Sequence, residues 1–257
     1  MNYRVQTLAG ETVEPHTVIF PILKEITPHR TRLVGTGFFI TSIGHFVTAK
    51  HVIQDVLDPK TRRQLHPLHA LHFVVGAETL VRGITKVSLH DEVDLAVGKM
   101  DYHQVTATGE ILTNRVPTFT TSVPPANSDL VTFAYPESDA DFEGGQQSSF
   151  RPQFYSGKML RASDVPRDRV LVNWPHYCTS IDMLGGASGG PVFDNQGRVC
   201  AINCVGGLKD LSYLSRVIDL VNMRVPDFPV SGAGVVVDPT VADLERVGQI
   251  AFNPPLA

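Results

Sequence analysis

The sequence predicts an all-β chain arranged as two lobes, and three observations carry that expectation. Apolar residues make up 42% of the 257 and fall in many short runs rather than long helical stripes. The 21 Gly and 18 Pro between those runs are turn formers spread along the chain, and charged residues contribute only 19%. A stretch rich in Thr, Ser, Pro and Asn then separates an earlier set of runs from a later one. The length suffices for a full core, as one barrel-sized domain or two lobes of roughly 100–130 residues each.

The first lobe, residues 1–115, reads as strands over 18–23, 37–41, 45–48, 71–75, 84–89 and 94–97, each bounded by Gly, Pro, Asp or Ser. Residues 106–128 hold Pro117, Pro124 and Pro125 and read as the connector. The second lobe, residues 116–225, reads as strands over 130–135, 157–160, 170–173, 191–193 and 199–205, with Asn195-Gln196-Gly197 as a hairpin turn. The polar loop over 137–155 is read as a solvated segment rather than a lid. Leu211, Leu214, Val217, Ile218 and Val221 lie on one helical face after Asp210 and predict a C-terminal helix over 211–223. Residues 226–257, with Pro226, Pro229, Pro239, Pro254 and Pro255, read as an extended or docked tail whose only periodic part is 240–247.

Charge and composition exclude several partner classes. A net charge of −4, without Lys/Arg clusters interleaved with aromatics, offers no field for a phosphate backbone, so no nucleic-acid partner is expected. No run approaches a membrane span and the N-terminus lacks the apolar stretch of a signal peptide, which predicts a soluble cytoplasmic protein. Cys178, Cys200 and Cys204 are odd in number and confined to the C-terminal half, so they make no disulfide framework. Cys200 and Cys204 share a face of an expected strand and read as small buried hydrophobes. His66, His69 and His72 lack a matching carboxylate or cysteine set and read as loop residues; no metal and no cofactor is expected. No sequence feature assigns an oligomeric state.

The chemistry begins at Gly185-Gly186-Ala187-Ser188-Gly189-Gly190-Pro191. Glycines flanking one serine let backbone N–H groups approach a reacting carbonyl without Cβ interference. A serine hydroxyl needs a neighbouring base, and His51 stands at the end of the apolar run Phe46-Val47-Thr48-Ala49, where the chain turns. An imidazole base needs an acceptor that fixes its tautomer, and Asp94, opening Asp94-Leu95-Ala96-Val97, is the candidate.

The order His51, Asp94, Ser188 is that of chymotrypsin-like enzymes and differs from the Ser-first and Asp-first orders of other hydrolases. With Gly35-Thr36-Gly37-Phe38-Phe39-Ile40, Val47-Thr48-Ala49-Lys50-His51 and Gly186-Ala187-Ser188-Gly189-Gly190-Pro191, it resembles the chymotrypsin/trypsin-like serine protease clan over about residues 18–225. Ala134-Tyr135-Pro136 and Gly197-Arg198-Val199-Cys200-Ala201-Ile202-Asn203 resemble the bacterial trypsin-like, Deg-type branch. The resemblance implies two six-stranded Greek-key β-barrels, with His51 and Asp94 from the first and Ser188 from the second in the cleft between them. It also implies an oxyanion hole made by the N–H groups of Gly186 and Ser188. The chain departs from digestive relatives at Ala187, where they carry an Asp that pairs with a freshly cut N-terminus, and at Val52, where they carry a disulfide cysteine. Both departures suit an enzyme folded directly into its working form. The stretch after Val225 is too short for the PDZ domain that Deg-type relatives often append.

The function expected is therefore a serine endopeptidase acting through an acyl-enzyme on protein or peptide substrates. The alternative is a protease-fold regulatory or binding protein, inactive until a partner orders the oxyanion loop; an esterase is a lesser third reading. Two readings of the specificity pocket stand. Asp182, six residues before Ser188, would select Lys or Arg as a buried S1-floor carboxylate, whereas Met183 and Leu184 would line an apolar pocket. Asn203, Cys204 and Val205 are expected to form the strand edge that pairs with the substrate backbone.

Overall fold

The computed structural model describes residues 4–28, 30–61, 63–74, 79–104, 109–135, 152–207, 210–229 and 235–256. Six antiparallel strands close a first barrel: β1 (Ile19–Thr27), β2 (Arg30–Phe39), β3 (His45–Thr48), β4 (Leu68–Phe73), β5 (Thr79–Leu89) and β6 (Ala96–Met100). Six more close a second: β7 (Asp129–Ala134), β8 (Gln153–Ser163), β9 (His176–Thr179), β10 (Pro191–Phe193), β11 (Val199–Val205) and β12 (Ser212–Arg216). Around the first barrel the order is β1-β2-β3-β6-β5-β4; around the second it is β8-β9-β12-β11-β10-β7, the same circuit six strands later. The fold is the expected chymotrypsin-like double barrel, and closure leaves neither sheet with a long open edge.

Side-chain volume explains how each barrel fills. In the first, the ring of Phe20 lies 4.8 Å from that of Phe39 and 5.5 Å from that of Phe46. Gly98 pairs across the sheet with Phe46, and a Cβ there would lie 2.3 Å from the ring, so the glycine makes room for the aromatic. The second barrel buries Leu130, Met159, Tyr177, Val192, Cys200 and Leu214. It also buries a polar link, Asn203 Nδ2 donating to Thr132 Oγ1 at 2.7 Å, while the Thr132 hydroxyl donates to the Pro191 carbonyl at 2.8 Å.

Two elements differ from expectation. Residues 212–216 are strand β12, followed by a short 3-10 turn at Val217–Leu220, in place of the helix over 211–223. Tyr213 and Leu214 are both buried between β9 and β11. A strand buried on both faces loses its period-two alternation, and its apolar spacing then mimics a helix. The expected strand over 170–173 is a loop: Val170 and Leu171 are exposed, and Asp168 Oδ1 accepts their N–H groups at 2.8 and 2.6 Å. That side-chain turn captures the backbone donors a ladder would need. The strand is β9, just after Pro175.

The tail docks. Its helix, α2 (Val241–Arg246; α1 is Lys50–Gln54), starts with a reciprocal Thr240/Asp243 capping box and buries Val241 and Leu244. Phe119 in the connector donates its N–H to the Ala251 carbonyl at 2.9 Å, and its ring lies 5.7 Å from that of Phe252. Of the 137–155 loop, residues through 151 lie outside the described residues, and Gln153 opens β8. No helix among the described residues is long and apolar enough to cross a membrane.

Candidate active site

The His51–Asp94 side of the site is built at one end of the first barrel. Strand β3 runs into α1, which carries His51 in its first turn, and Asp94 lies two residues before β6. The two meet through a double bond pair: the His51 backbone N–H donates to Asp94 Oδ1 at 2.9 Å, and Nδ1–H donates to Oδ2 at 2.7 Å. An ionised carboxylate only accepts, so this contact fixes the Nδ1-protonated tautomer and leaves Nε2 as the acceptor nitrogen. Burial opposes charge on the imidazole, but the hydrogen bond and charge of Asp94, helped by Asp55, outweigh it and raise the His51 pKa. Burial likewise opposes ionisation of Asp94, yet its bonds and attraction to His51 and a bond from Cys204 hold its pKa below the ordinary value.

The Asp94 loop is held from several sides. Lys50 Nζ donates to the carbonyls of His90 and Asp91 at 2.6 and 3.0 Å, and His90 Nδ1 accepts the N–H groups of Glu92 and Val93. From the second barrel, Cys204 Sγ and Ser215 Oγ both donate to the Asp94 carbonyl, at 3.3 and 3.4 Å.

Ser188 stands beyond a tight turn on the second barrel. Ala187 N–H donates to the Leu184 carbonyl at 3.3 Å, and Gly186 has φ +84°. A four-residue turn with positive φ at its third position is type II, which glycine adopts without penalty. After the serine, Gly189 N–H donates to the Asn203 carbonyl at 2.7 Å and Asn203 N–H to the Gly190 carbonyl at 2.9 Å, anchoring the loop to β11. Gly189 has φ +88°, and a Cβ there would lie 2.1 Å from Thr48 Oγ1. Among the described residues, neither the Gly186 nor the Ser188 N–H is taken by an internal acceptor.

His51, Asp94 and Ser188 line one open cleft of about 1070 Å³, with Met183, Leu184, Trp174 and Val205 among its apolar walls. The Ser188 hydroxyl donates to the Cys204 carbonyl at 3.2 Å, and no hydrogen bond joins it to His51 among the described residues. Cys204 sits where the β11–β12 register skips, between Asn203↔Leu214 and Val205↔Tyr213, and β10 pairs with β11 only as far as Ile202. The bulge turns the Cys204 thiol under Asp94 and its carbonyl toward Ser188.

Other expected residues fall differently. Asp182 is exposed and outside the cleft lining, so it does not make a buried S1 floor. An unpaired carboxylate stays in water, while its neighbour Met183, 5% exposed, turns inward. Asn203 is buried with both backbone groups already bonded to the serine loop, so it supports that loop, while Cys204 and Val205 line the cleft. His69 pairs with Glu25 and His72 is buried beside Arg82, and no metal-binding cluster occurs among the described residues. Sequence reasoning missed Trp174, the single tryptophan, and Thr36, whose N–H donates to the Ser188 carbonyl at 2.8 Å. The glycines on either side of Thr36 were the available signal for the second.

Residues 35–202 match the trypsin-like peptidase domain. No curated protein sequence matches the chain. Among solved structures, Deg5 is 18% identical with a TM-score of 0.61, over 86% of this chain and 92% of its own. The inactive form of the Rv3671c protease is 16% identical with a TM-score of 0.53, over 79% of this chain and 85% of its own. The active form of the same protease, from M. tuberculosis, is 18% identical at the same TM-score, over 80% and 78%. These likenesses are likenesses of fold.

Proposed function

The chain belongs to the trypsin-like peptidase domain family, and from that premise we propose that it is a serine endopeptidase with Ser188 as nucleophile, His51 as general base and Asp94 as its orienting partner. The observation that carries the reading is the double Asp94–His51 contact, which holds the imidazole with Nε2 as the free basic nitrogen in the cleft that Ser188 lines. When a substrate strand enters, its N–H groups take the Cys204 carbonyl, and the Ser188 hydroxyl turns from that carbonyl to His51 Nε2. Nε2 removes the proton as Oγ bonds to the scissile carbonyl carbon, and the oxyanion is met by the N–H groups of Gly186 and Ser188. The imidazolium returns the proton to the leaving amine. Water, deprotonated by the same nitrogen, then hydrolyses the acyl-enzyme.

The same reading gives the pocket an apolar preference, since Met183, Leu184 and Val205 flank the site while Asp182 stays in solvent. Hydrolysis of unfolded casein tests it. Wild type is expected to cleave and Ser188→Ala to lose on the order of 10⁴–10⁶ in rate; equal residual rates in the two would contradict it. The bond from Ser188 to Cys204 also favours, as a second reading, a resting form released by a partner. That form would leave the purified protein slow on casein and fast only after addition of a protein fraction or activating peptide.

A further inference from the structure

We infer that Thr36, a residue of the first barrel, is the positioning residue that locks the oxyanion turn of the second; the inference rests on the serine-peptidase reading above. Thr36 lies in β2 and is fully buried. Its backbone N–H donates to the Ser188 carbonyl at 2.8 Å, and its own carbonyl accepts the Thr48 hydroxyl at 2.7 Å. Its hydroxyl receives the Tyr135 N–H at 3.1 Å and donates to the Gly186 carbonyl at 2.8 Å. A backbone N–H can only donate, so Tyr135 occupies a lone pair and the single hydroxyl proton is directed at Gly186.

The consequence lies in the choice between two turns. A Leu184–Ala187 turn of type I or type II differs in a flip of the peptide joining Gly185 to Gly186, and only type II has the positive φ found at Gly186. The flip would swing the Gly186 N–H away from the reacting oxygen and bring the Gly185 carbonyl round in its place. Two adjacent glycines tolerate both forms, so the sequence of the turn selects neither. Thr36 supplies the selection by binding the carbonyls on both sides of Ala187, one with its hydroxyl and one with its N–H. The neighbouring Gly35 makes the approach possible. A Cβ there would lie 2.9 Å from the Ser188 carbonyl and 2.6 Å from Val52, so a larger residue would push β2 off the serine loop.

Steady-state kinetics of Thr36→Val, Thr36→Ala and Thr36→Ser on a chromogenic peptide test this, each variant being first shown to unfold cooperatively. Val and Ala remove the hydroxyl with and without retained volume, so one folded member of the pair suffices. Either is expected to lower kcat roughly 10- to 100-fold with KM within about twofold, because the lost interaction acts on the oxyanion. Thr36→Ser, which differs from Thr36→Ala only by the oxygen, is expected to recover kcat to within about threefold of wild type. Unchanged kcat in Val and Ala, or a Ser variant as impaired as Ala, would overturn the proposal while leaving the peptidase reading intact. If wild type hydrolyses nothing, the peptidase reading fails separately, and backbone NMR at Gly186 decides the turn. A Gly186 that leaves the positive-φ conformation in Thr36→Ala but holds it in wild type supports the lock, and the same φ in both overturns it.

Discussion

The two barrels follow one strand circuit yet are packed and used differently. The first is filled by phenylalanines in tilted and edge-to-face contact and presents His51 and Asp94 from segments that abut its strands, held by short hydrogen bonds. The second is filled by aliphatic and sulfur side chains with the ring of Tyr177 around the Asn203–Thr132 link, and it presents Ser188 from a glycine-rich loop. The Asp94–His51 pair is therefore held within its own barrel by two hydrogen bonds and steadied from the second by Cys204 and Ser215, which donate to the Asp94 carbonyl. The Ser188 loop is held by hydrogen bonds that come partly from the other barrel, through Thr36, and partly from β11, through Asn203. On the proposed peptidase reading, one fold thus divides the labour: a base paired to its carboxylate is set against a loop whose backbone must stay free enough to receive an oxyanion.

The largest expected break in that division is at the base. Asp94→Asn keeps the size of the side chain but can present an N–H to His51 Nδ1, which favours the wrong tautomer, so kcat is expected to fall by about 10⁴. Because the His51 pKa is raised and only neutral imidazole accepts the serine proton, wild-type kcat/KM is expected to fall with falling pH, with a midpoint above the ordinary imidazole value. The pH–rate profile of Asp94→Asn measures both effects, and its acid limb is expected to move to lower pH.

A smaller break concerns how the tail is pinned to the first barrel. His45, fully buried, accepts the Thr41 hydroxyl at Nδ1 and donates Nε2–H to the Pro226 carbonyl at 2.8 Å, a pattern that requires neutral imidazole. Burial lowers its pKa to about 4, with Lys99 adding to the effect and the Pro226 bond and Asp227 opposing it. Between about 6.5 and about 4 the unfolded chain binds the proton that the folded chain refuses. Stability is therefore full above that window and falls as pH drops through it, by up to about 3 kcal/mol from this residue. Thermal unfolding of His45→Gln across the window is expected to show a flatter pH dependence, since glutamine keeps a donor for Pro226 without titrating.

The smallest expected change is in selectivity on the second barrel's side. Met183→Ala cuts back the apolar wall and widens the cleft, and is expected to shift kcat/KM roughly tenfold toward bulkier apolar residues at the cleaved bond. Asp182→Ala, removing an exposed carboxylate, is expected to leave the preference unchanged. A library profile that lost basic-residue cleavage in Asp182→Ala would return the pocket floor to that residue.

Much of this was legible in the sequence where local chemistry and tertiary role coincide. Strands 45–48, 191–193 and 199–205 were bounded by clear turn formers and occur at those limits. The glycines around Ser188 announced a close backbone approach, which the contacts at Gly189 explain. Strand β12 was hidden because burial on both faces erases alternation, and β9 because its residues, His176-Tyr177-Cys178-Thr179, carry little apolar signal of their own. Asp182 misled because its distance from Ser188 carries no information about which way the side chain points. The inter-barrel bonds of Thr36 span 99 to 152 residues of sequence and follow only from the closure of both barrels.

Labelling of the folded protein with a fluorophosphonate, followed by mapping of the modified peptide, tests the central claim most directly, because the reagent bonds only to a serine activated by its neighbours. The account predicts a single modification at Ser188 that is abolished in His51→Ala. A folded protein left unlabelled, or labelled equally with and without His51, would contradict it.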